Sequence, residues 1–326
     1  MIKLIDIEPR FYGKYDCYQN NIVGPVSEYW DIDYRPIFWT EFNFINESCN
    51  PNKFEEMTFG VGNRFDRGDI WTDICGVSLD VCRFDKMEIF MSKIIEELNK
   101  KNPIVATMYS NEVPWNKYFQ IRPHCFLICD IDEDTHEFIC SDGSFHSRGL
   151  CRMDIQYLFD KYYKLILLNH IDTEKKKLKD ELLYFLRTFQ DNNPNKTKDI
   201  NKFADQILHC WKSDDLKEVS KVVSKSYFLL YVTEVCNSRH NFAKGLEYFN
   251  EKYKTDLFSS ALSELENVII NWDSFKGLYV KSVLSSKQEY LENLLNLLHK
   301  IAISEEEIRK EIEKVCTDKL KDLACV

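Results

Sequence analysis

The chain has little of what breaks regular structure. It carries only 10 Gly and 8 Pro in 326 residues, too few for a loop-dominated or disordered chain. No run of 18 uncharged apolar residues occurs, so no membrane-spanning helix is expected. The stretch Met1-Ile2-Lys3-Leu4-Ile5-Asp6 meets charge too early for a secretory hydrophobic segment, and a cytoplasmic protein with reduced thiols is expected. The 12 cysteines include no C-x-x-C pair and no Cys/His cluster at zinc spacing. Neither a metal site nor a bound cofactor is therefore expected. Positive charge is not in excess either. The net charge is −10, which argues against nucleic acid and an anionic membrane surface as partners.

The negative charge is unevenly spread. Residues 1–170 carry 27 acidic and 18 basic side chains, whereas residues 171–326 carry 26 and 25. An acidic first half would attract a cationic small molecule such as a polyamine or an aminosugar. It would also serve solubility alone.

What is present is core-forming material. With 22 Phe, 17 Tyr and 6 Trp, the chain can bury a large apolar area. Its character changes near residue 171. Before that point short β-rich and aromatic runs alternate with turns, and after it nearly everything reads as helix. The expectation is an α+β domain over residues 1–170 followed by an all-α domain over residues 171–326.

Within the first part a helix is predicted over 15–30, with Asp16 as N-cap and Gly24-Pro25 kinking or ending its first stretch. Ile89, Phe90, Ile94 and Leu98 predict an amphipathic helix over 86–99. Strands are predicted over 103–109, 124–131, 137–141 and 163–168, and a helix over 150–159. In the second part helices are predicted near 173–190, 198–212, 214–235, 238–253, 256–272, 282–302 and 304–322. Leu291, Leu294, Leu295 and Leu298 there mark a bundle face.

A turn centred near residue 133 would pair positions whose numbers sum to about 266, setting His124 opposite Asp142. Opposed residues share a sheet face, with Cβ atoms about 5 Å apart. An imidazole beside a carboxylate is the arrangement of a general base and its orienting group. It is also how a buried histidine satisfies its ring in an ordinary core. The pair becomes chemistry only with a nucleophile, and Cys17 is the thiol placed best. It opens the predicted helix, where unpaired N–H groups and the helix dipole favour thiolate. The other cysteines read as small core hydrophobes, including Cys125 and Cys129, which alternate with His124.

These residues resemble a known family. A Cys near the N-terminus, a His at the head of an apolar strand and an Asp after the next strand resemble the papain-like cysteine-protease superfamily. Asp16-Cys17-Tyr18-Gln19-Asn20, Asn102-Pro103-Ile104-Val105 and Pro114-Trp115 resemble its bacterial biosynthetic branch. That branch includes the butirosin-biosynthesis acyltransferase-like proteins and is similar to the amide-forming homologues of closthioamide-type polythioamide assembly. The resemblance implies a papain-like core and acyl transfer through catalytic Cys17, His124 and Asp142. The donor would be a thioester on the phosphopantetheine of an acyl or peptidyl carrier protein. The acceptor would be a small-molecule amine, a diamine or an aminosugar, in natural-product (antibiotic) biosynthesis. The helical domain would cap the site or dock the carrier. Related peptidases often place an oxyanion-hole Gln six residues before the nucleophile, where this chain has Phe11. A peptidase or amidase of the same fold, and a non-catalytic binding protein, are the alternatives.

Several other features carry less. Gly60-Val61-Gly62-Asn63-Arg64 lacks the Lys-Ser/Thr of a phosphate loop and reads as a turn. His146, four residues after Asp142, could line the site. The run Lys175-Lys176-Lys177 with Lys179 could meet an acidic carrier or be a solvated helix face.

Overall fold

The computed structural model describes residues 5–13, 16–61, 68–116, 121–173, 176–191, 196–223 and 226–325. The chain is mixed α+β and divides into two compact units. One comprises Met1–Tyr34 with Arg67–Glu174, the other Arg35–Asp66 with Lys175–Val326. The sequence division at 170/171 thus falls close to the change at 174/175. The aromatic segment from Arg35, however, goes with the helices rather than with the sheet. Among the described residues no helix is long and apolar enough to cross a membrane.

Two short strands, β1 (Ile45–Asn46) and β2 (Phe59–Gly60), pair in the helical unit. The other six, β3 (Val77–Cys82), β4 (Ile104–Tyr109), β5 (Pro123–Asp132), β6 (Glu137–Ser141), β7 (Cys151–Asp154) and β8 (Lys164–His170), form one antiparallel sheet in the order β3-β8-β4-β5-β6-β7. The central strands β4 and β5 are almost continuously buried, which is why they read as apolar runs rather than as alternating ones. Edge strand β3, which was not predicted, alternates Val77, Leu79 and Val81 with Ser78 and Asp80 but buries only Val77. Residues 150–159 do not form one helix. Cys151–Asp154 alternate between buried and exposed as a strand does. Asp154 then caps α4 (Ile155–Lys161), its side chain accepting from the Tyr157 N–H at 2.7 Å.

The remaining helices are α1 (Gly24–Trp30), α2 (Gly68–Ile70), α3 (Met87–Asn99), α5 (Leu178–Asp191), α6 (Lys196–Ser213), α7 (Leu216–Val222), α8 (Tyr227–Tyr253), α9 (Ser259–Ser285) and α10 (Gln288–Asp322). The predicted break between 302 and 304 does not exist. Ala302, Glu305 and Ile308 continue one buried stripe through α10, and a helix runs on while its buried face does. The predicted break near 236 is likewise absent, since α8 carries Cys236 and Ser238 buried in its middle.

The centre of the helical unit is aromatic and ionic. Trp39 stacks on Phe249 at 5.1 Å and donates Nε1–H to the Gly245 carbonyl at 3.0 Å. Arg239 is fully buried and donates twice to Glu305, at 2.8 and 2.9 Å. It also donates to the Asn43 carbonyl at 2.8 Å, while Trp272 Nε1 donates to Glu305 at 2.8 Å. A buried charge is tolerated only when paired and hydrogen-bonded in this way.

Candidate active site

The helix that carries Cys17 follows Asp16, the expected N-cap, and its cap is local chemistry. Asp16 Oδ1 accepts from the Gln19 N–H at 2.8 Å, and Gln19 Oε1 accepts from the Asp16 N–H at 3.1 Å. This reciprocal box fixes the first turn around Cys17. From Cys17 the helical run continues to Trp30. Its stretch Gln19–Val23 is a π-helix, with the Gly24 N–H bonded to the Gln19 carbonyl five residues back. Pro25 has no N–H and would crowd a carbonyl four residues back in an α-helix. The wider π turn accommodates it without ending the helix.

The strand register differs from the predicted one by two. Leu127 pairs with Ser141 and Ile128 with Cys140, and a bulge follows between Ile128 and Asp130. Continuing the ladder by one step would set Phe126, not His124, opposite Asp142. An offset of two keeps the sheet face, because side chains alternate with period two. His124 Nε2 therefore still reaches Asp142 Oδ2, at 2.7 Å. Both residues are buried, Asp142 completely.

Two partners that the sequence reading gave no role hold this carboxylate. Trp115 Nε1 donates to the same Oδ2 at 2.8 Å. Asn21 Nδ2 donates to Oδ1 at 3.2 Å and to the Cys125 carbonyl at 2.6 Å, and Asn21 Oδ1 accepts from the Gly143 N–H. The Ser144 N–H adds a bond to Oδ1 at 3.1 Å. Asn21 thereby ties the Cys17 helix to the His124 strand and to the Asp142 loop. Its position four residues after Cys17, on the same helix face, was the available signal. Trp115 belongs to the Pro114-Trp115 pair that carries the family resemblance, which assigned it no role. Gly143 belongs to this joint as well, since a Cβ there would collide with the backbone carbonyls of Arg10 and Asn20.

Cys17 meets His124 and, beside it, Cys125. The sequence assigns Cys125 to the core, and it is buried. The neighbouring Cys125 thiol nevertheless does most to lower the Cys17 pKa. Burial opposes it, His124 lowers the pKa further, and the outcome is about 5. The Asp16 carboxylate of the cap works slightly the other way. Burial alone would push His124 down, but Asp142 and Cys17 outweigh it and raise the ring to about 10. With Asp142 on Nε2, Nδ1 is the nitrogen left for Cys17. At neutral pH the pair is thiolate and imidazolium. Burial pushes Cys82 and Cys151 up to about 11, and Cys210, Cys236 and Cys316 up to about 12. Cys17 moves the opposite way.

The surroundings are aromatic. Phe145 meets the His124 ring edge-on at 6.2 Å, and Arg148 lies 5.7 Å over Phe145. Trp71 Nε1 donates to the Tyr18 hydroxyl at 3.0 Å, bracing the residue after the nucleophile. Phe11 is exposed. Gln19 serves the helix cap, and Asn20 is spent on the Tyr12 N–H and the Asp16 carbonyl, at 2.8 and 3.0 Å.

The His146 side chain, Gly62 to Arg64 and Lys175 lie outside the described residues. Lys176 sits 5.6 Å over the Tyr184 ring. Among the described residues no group of three or more His, Cys, Asp or Glu could hold a metal ion. No protein-family profile matches the chain, and no curated protein matches it in sequence.

Proposed function

We propose that this chain is a cysteine-dependent acyltransferase with a papain-like catalytic core, forming an amide from a carrier-protein thioester and an amine. The observation that carries the reading is the His124 Nε2 contact with the buried Asp142 Oδ2 at 2.7 Å, with Cys17 beside His124 and its thiol pKa lowered. A thiolate held ready beside an imidazolium suits acyl chemistry at a thioester carbonyl.

The Cys17 thiolate attacks the thioester carbon, and a new C–S bond forms. The carrier thiol leaves with the proton that His124 supplies. The amine then attacks acyl-Cys17. Neutral His124 takes the amine proton, the C–N bond forms and the Cys17 C–S bond breaks. Asp142 holds the ring in one orientation and stabilises its charged form. The Cys17 backbone N–H, at the start of the helix, is a donor for the developing oxyanion.

Transfer to an amine rather than to water is favoured by two features. Phe11 stands where related peptidases have an oxyanion-hole Gln. The acidic first part of the chain attracts a cation. Intact mass spectrometry with acyl-loaded carrier proteins tests the reading. An acyl adduct on Cys17, discharged faster by an added diamine than by buffer, is expected. Discharge by water alone would favour the hydrolase, and absence of any adduct would remove the enzyme reading.

A further inference from the structure

Arg148 stands beside the site, and the proton transfers do not use it. It ends the kinked helical turn Gly143–Arg148, which begins directly after Asp142. Its guanidinium is held in two directions. Nη1 donates to the Trp115 carbonyl at 3.1 Å, and the Trp115 ring in turn donates to Asp142. The guanidinium carbon lies 5.7 Å over the Phe145 ring, which meets His124 edge-on at 6.2 Å. Phe145 thus bridges this cation and the imidazole. Other arginines of the sheet unit are matched with acids. Arg10 pairs with Glu28 at 2.6 Å, and Arg152 with Asp132 and Glu137 at 2.9 and 2.8 Å. Arg148 is exposed. Among the described residues no carboxylate is in ion-pair range of it, and its Nε and Nη2 donors have no acceptor there. A guanidinium presents a planar fork that fits two oxygens of a carboxylate or a phosphate at once. Holding it against a ring and a carbonyl beforehand lowers the ordering cost of binding.

We infer that Arg148 is a specificity-determining residue that binds an oxyanion, a carboxylate or a phosphate, carried by the acyl donor. This rests on the reading of Cys17 as the residue that takes the acyl group, and it names the charge of the donor at that same site. The oxyanion comes from the end of the acyl chain or from the phosphate of the pantetheine arm. Either way the two substrates are sorted by charge. The surplus of acids over residues 1–170 suits a cationic amine, whereas Arg148 offers the donor a local cation. An oxyanion seated on Arg148 lies across Phe145 from His124. It positions the donor without touching the bonds that change, so its effect falls on kcat/KM for charged donors.

The test follows acylation of Cys17 in the full chain by intact mass, with two pairs of thioesters. Hexanoyl and adipoyl N-acetylcysteamine differ by a carboxylate at the end of the acyl chain. Hexanoyl pantetheine and hexanoyl phosphopantetheine differ by a phosphate on the thiol arm. Wild type should take the charged member of one pair at least about tenfold faster, the scale of a hydrogen bond to a charged group. The pair that shows this identifies the source of the oxyanion. Arg148→Gln should abolish the preference. Arg148 also holds the Trp115 carbonyl, so the charged-to-neutral ratio within each protein is compared rather than the absolute rate. Equal rates within both pairs in wild type, or a preference that survives in Arg148→Gln, would overturn the inference. A second measurement needs no variant. Phenylglyoxal modification of Arg148 in wild type, mapped by peptide mass, should be slowed by adipate or by inorganic phosphate relative to chloride at the same ionic strength. Modification that neither anion slows would also overturn it. Acylation without a charge preference counts against Arg148 alone. No acylation by any of these thioesters counts against the acyl-transfer reading and removes the inference with it.

Discussion

His124 Nε2 donates to Asp142 Oδ2 at 2.7 Å although the β5–β6 register, continued one step, faces Asp142 with Phe126. The bond spans a diagonal of the sheet rather than a rung. A diagonal needs external support, and Trp115 and Asn21 supply it from two further segments.

The first prediction concerns pH. The Cys17 pKa is lowered to about 5 and that of His124 is raised to about 10. The reactive thiolate is therefore present above pH about 5 and lost as pH falls through that value. The imidazolium partner is present below pH about 10 and lost as pH rises through it. Iodoacetamide alkylation of Cys17, followed by peptide mass, should rise to a plateau as pH rises through about 5 and stay high above it. A free thiol would lose reactivity already on falling through about 8.5.

Asp142→Asn should keep the fold and cost most of the activity. The ring loses the carboxylate that raises its pKa, so the imidazolium no longer supports the Cys17 thiolate. Turnover should fall by about 10⁴-fold, the scale for neutralising such an orienting carboxylate. The low-pH edge of the alkylation plateau should move up. An unmoved edge would contradict the assigned role of Asp142.

Asn21→Ala should destabilise the sheet unit more than an ordinary helix substitution. It strips partners from Asp142, the Gly143 N–H and the Cys125 carbonyl. Each buried group left unsatisfied costs about 1–3 kcal/mol. Asp142 Oδ1 keeps the Ser144 N–H, so urea denaturation should show a loss of about 2 kcal/mol or more for the Gly143 N–H and the Cys125 carbonyl together. Gly143→Ala should behave similarly for a steric reason, by pushing the Asp142 loop off the Arg10 and Asn20 carbonyls.

Arg239→Ala tests the helical unit. It leaves the fully buried Glu305 without its cation, and breaking such a pair costs about 3–5 kcal/mol. Paired replacement of both residues by apolar ones of similar volume should be far milder, as read by thermal or denaturant unfolding.

Much of this molecule is encoded locally. Apolar runs and 3.6-residue spacing marked β4, β5, β6, β8 and α3. Asp16 and Gln19 stand three apart and close their own cap, so the start of the nucleophile helix needed no tertiary information. The His124–Asp142 relationship survived a two-residue register difference because faces repeat every two residues. Other features depend on distant partners and left no local pattern. The aromatics from Arg35 onward have no period, and it is Phe249 and Phe242, some two hundred residues away, that draw them into the helical unit. The π turn follows from Pro25 in a helix that packing keeps going. Strand alternation sorted Cys125 into the core, and only the packing of the helix that carries Cys17 against β5 tied its carbonyl to Asn21. The sequence by itself determined which thiol begins a helix and which imidazole shares a face with a carboxylate, because caps and strand parity are short-range. The tertiary structure decided what surrounds that thiol, because a hydrogen bond between residues more than a hundred positions apart exists only once the chain has packed.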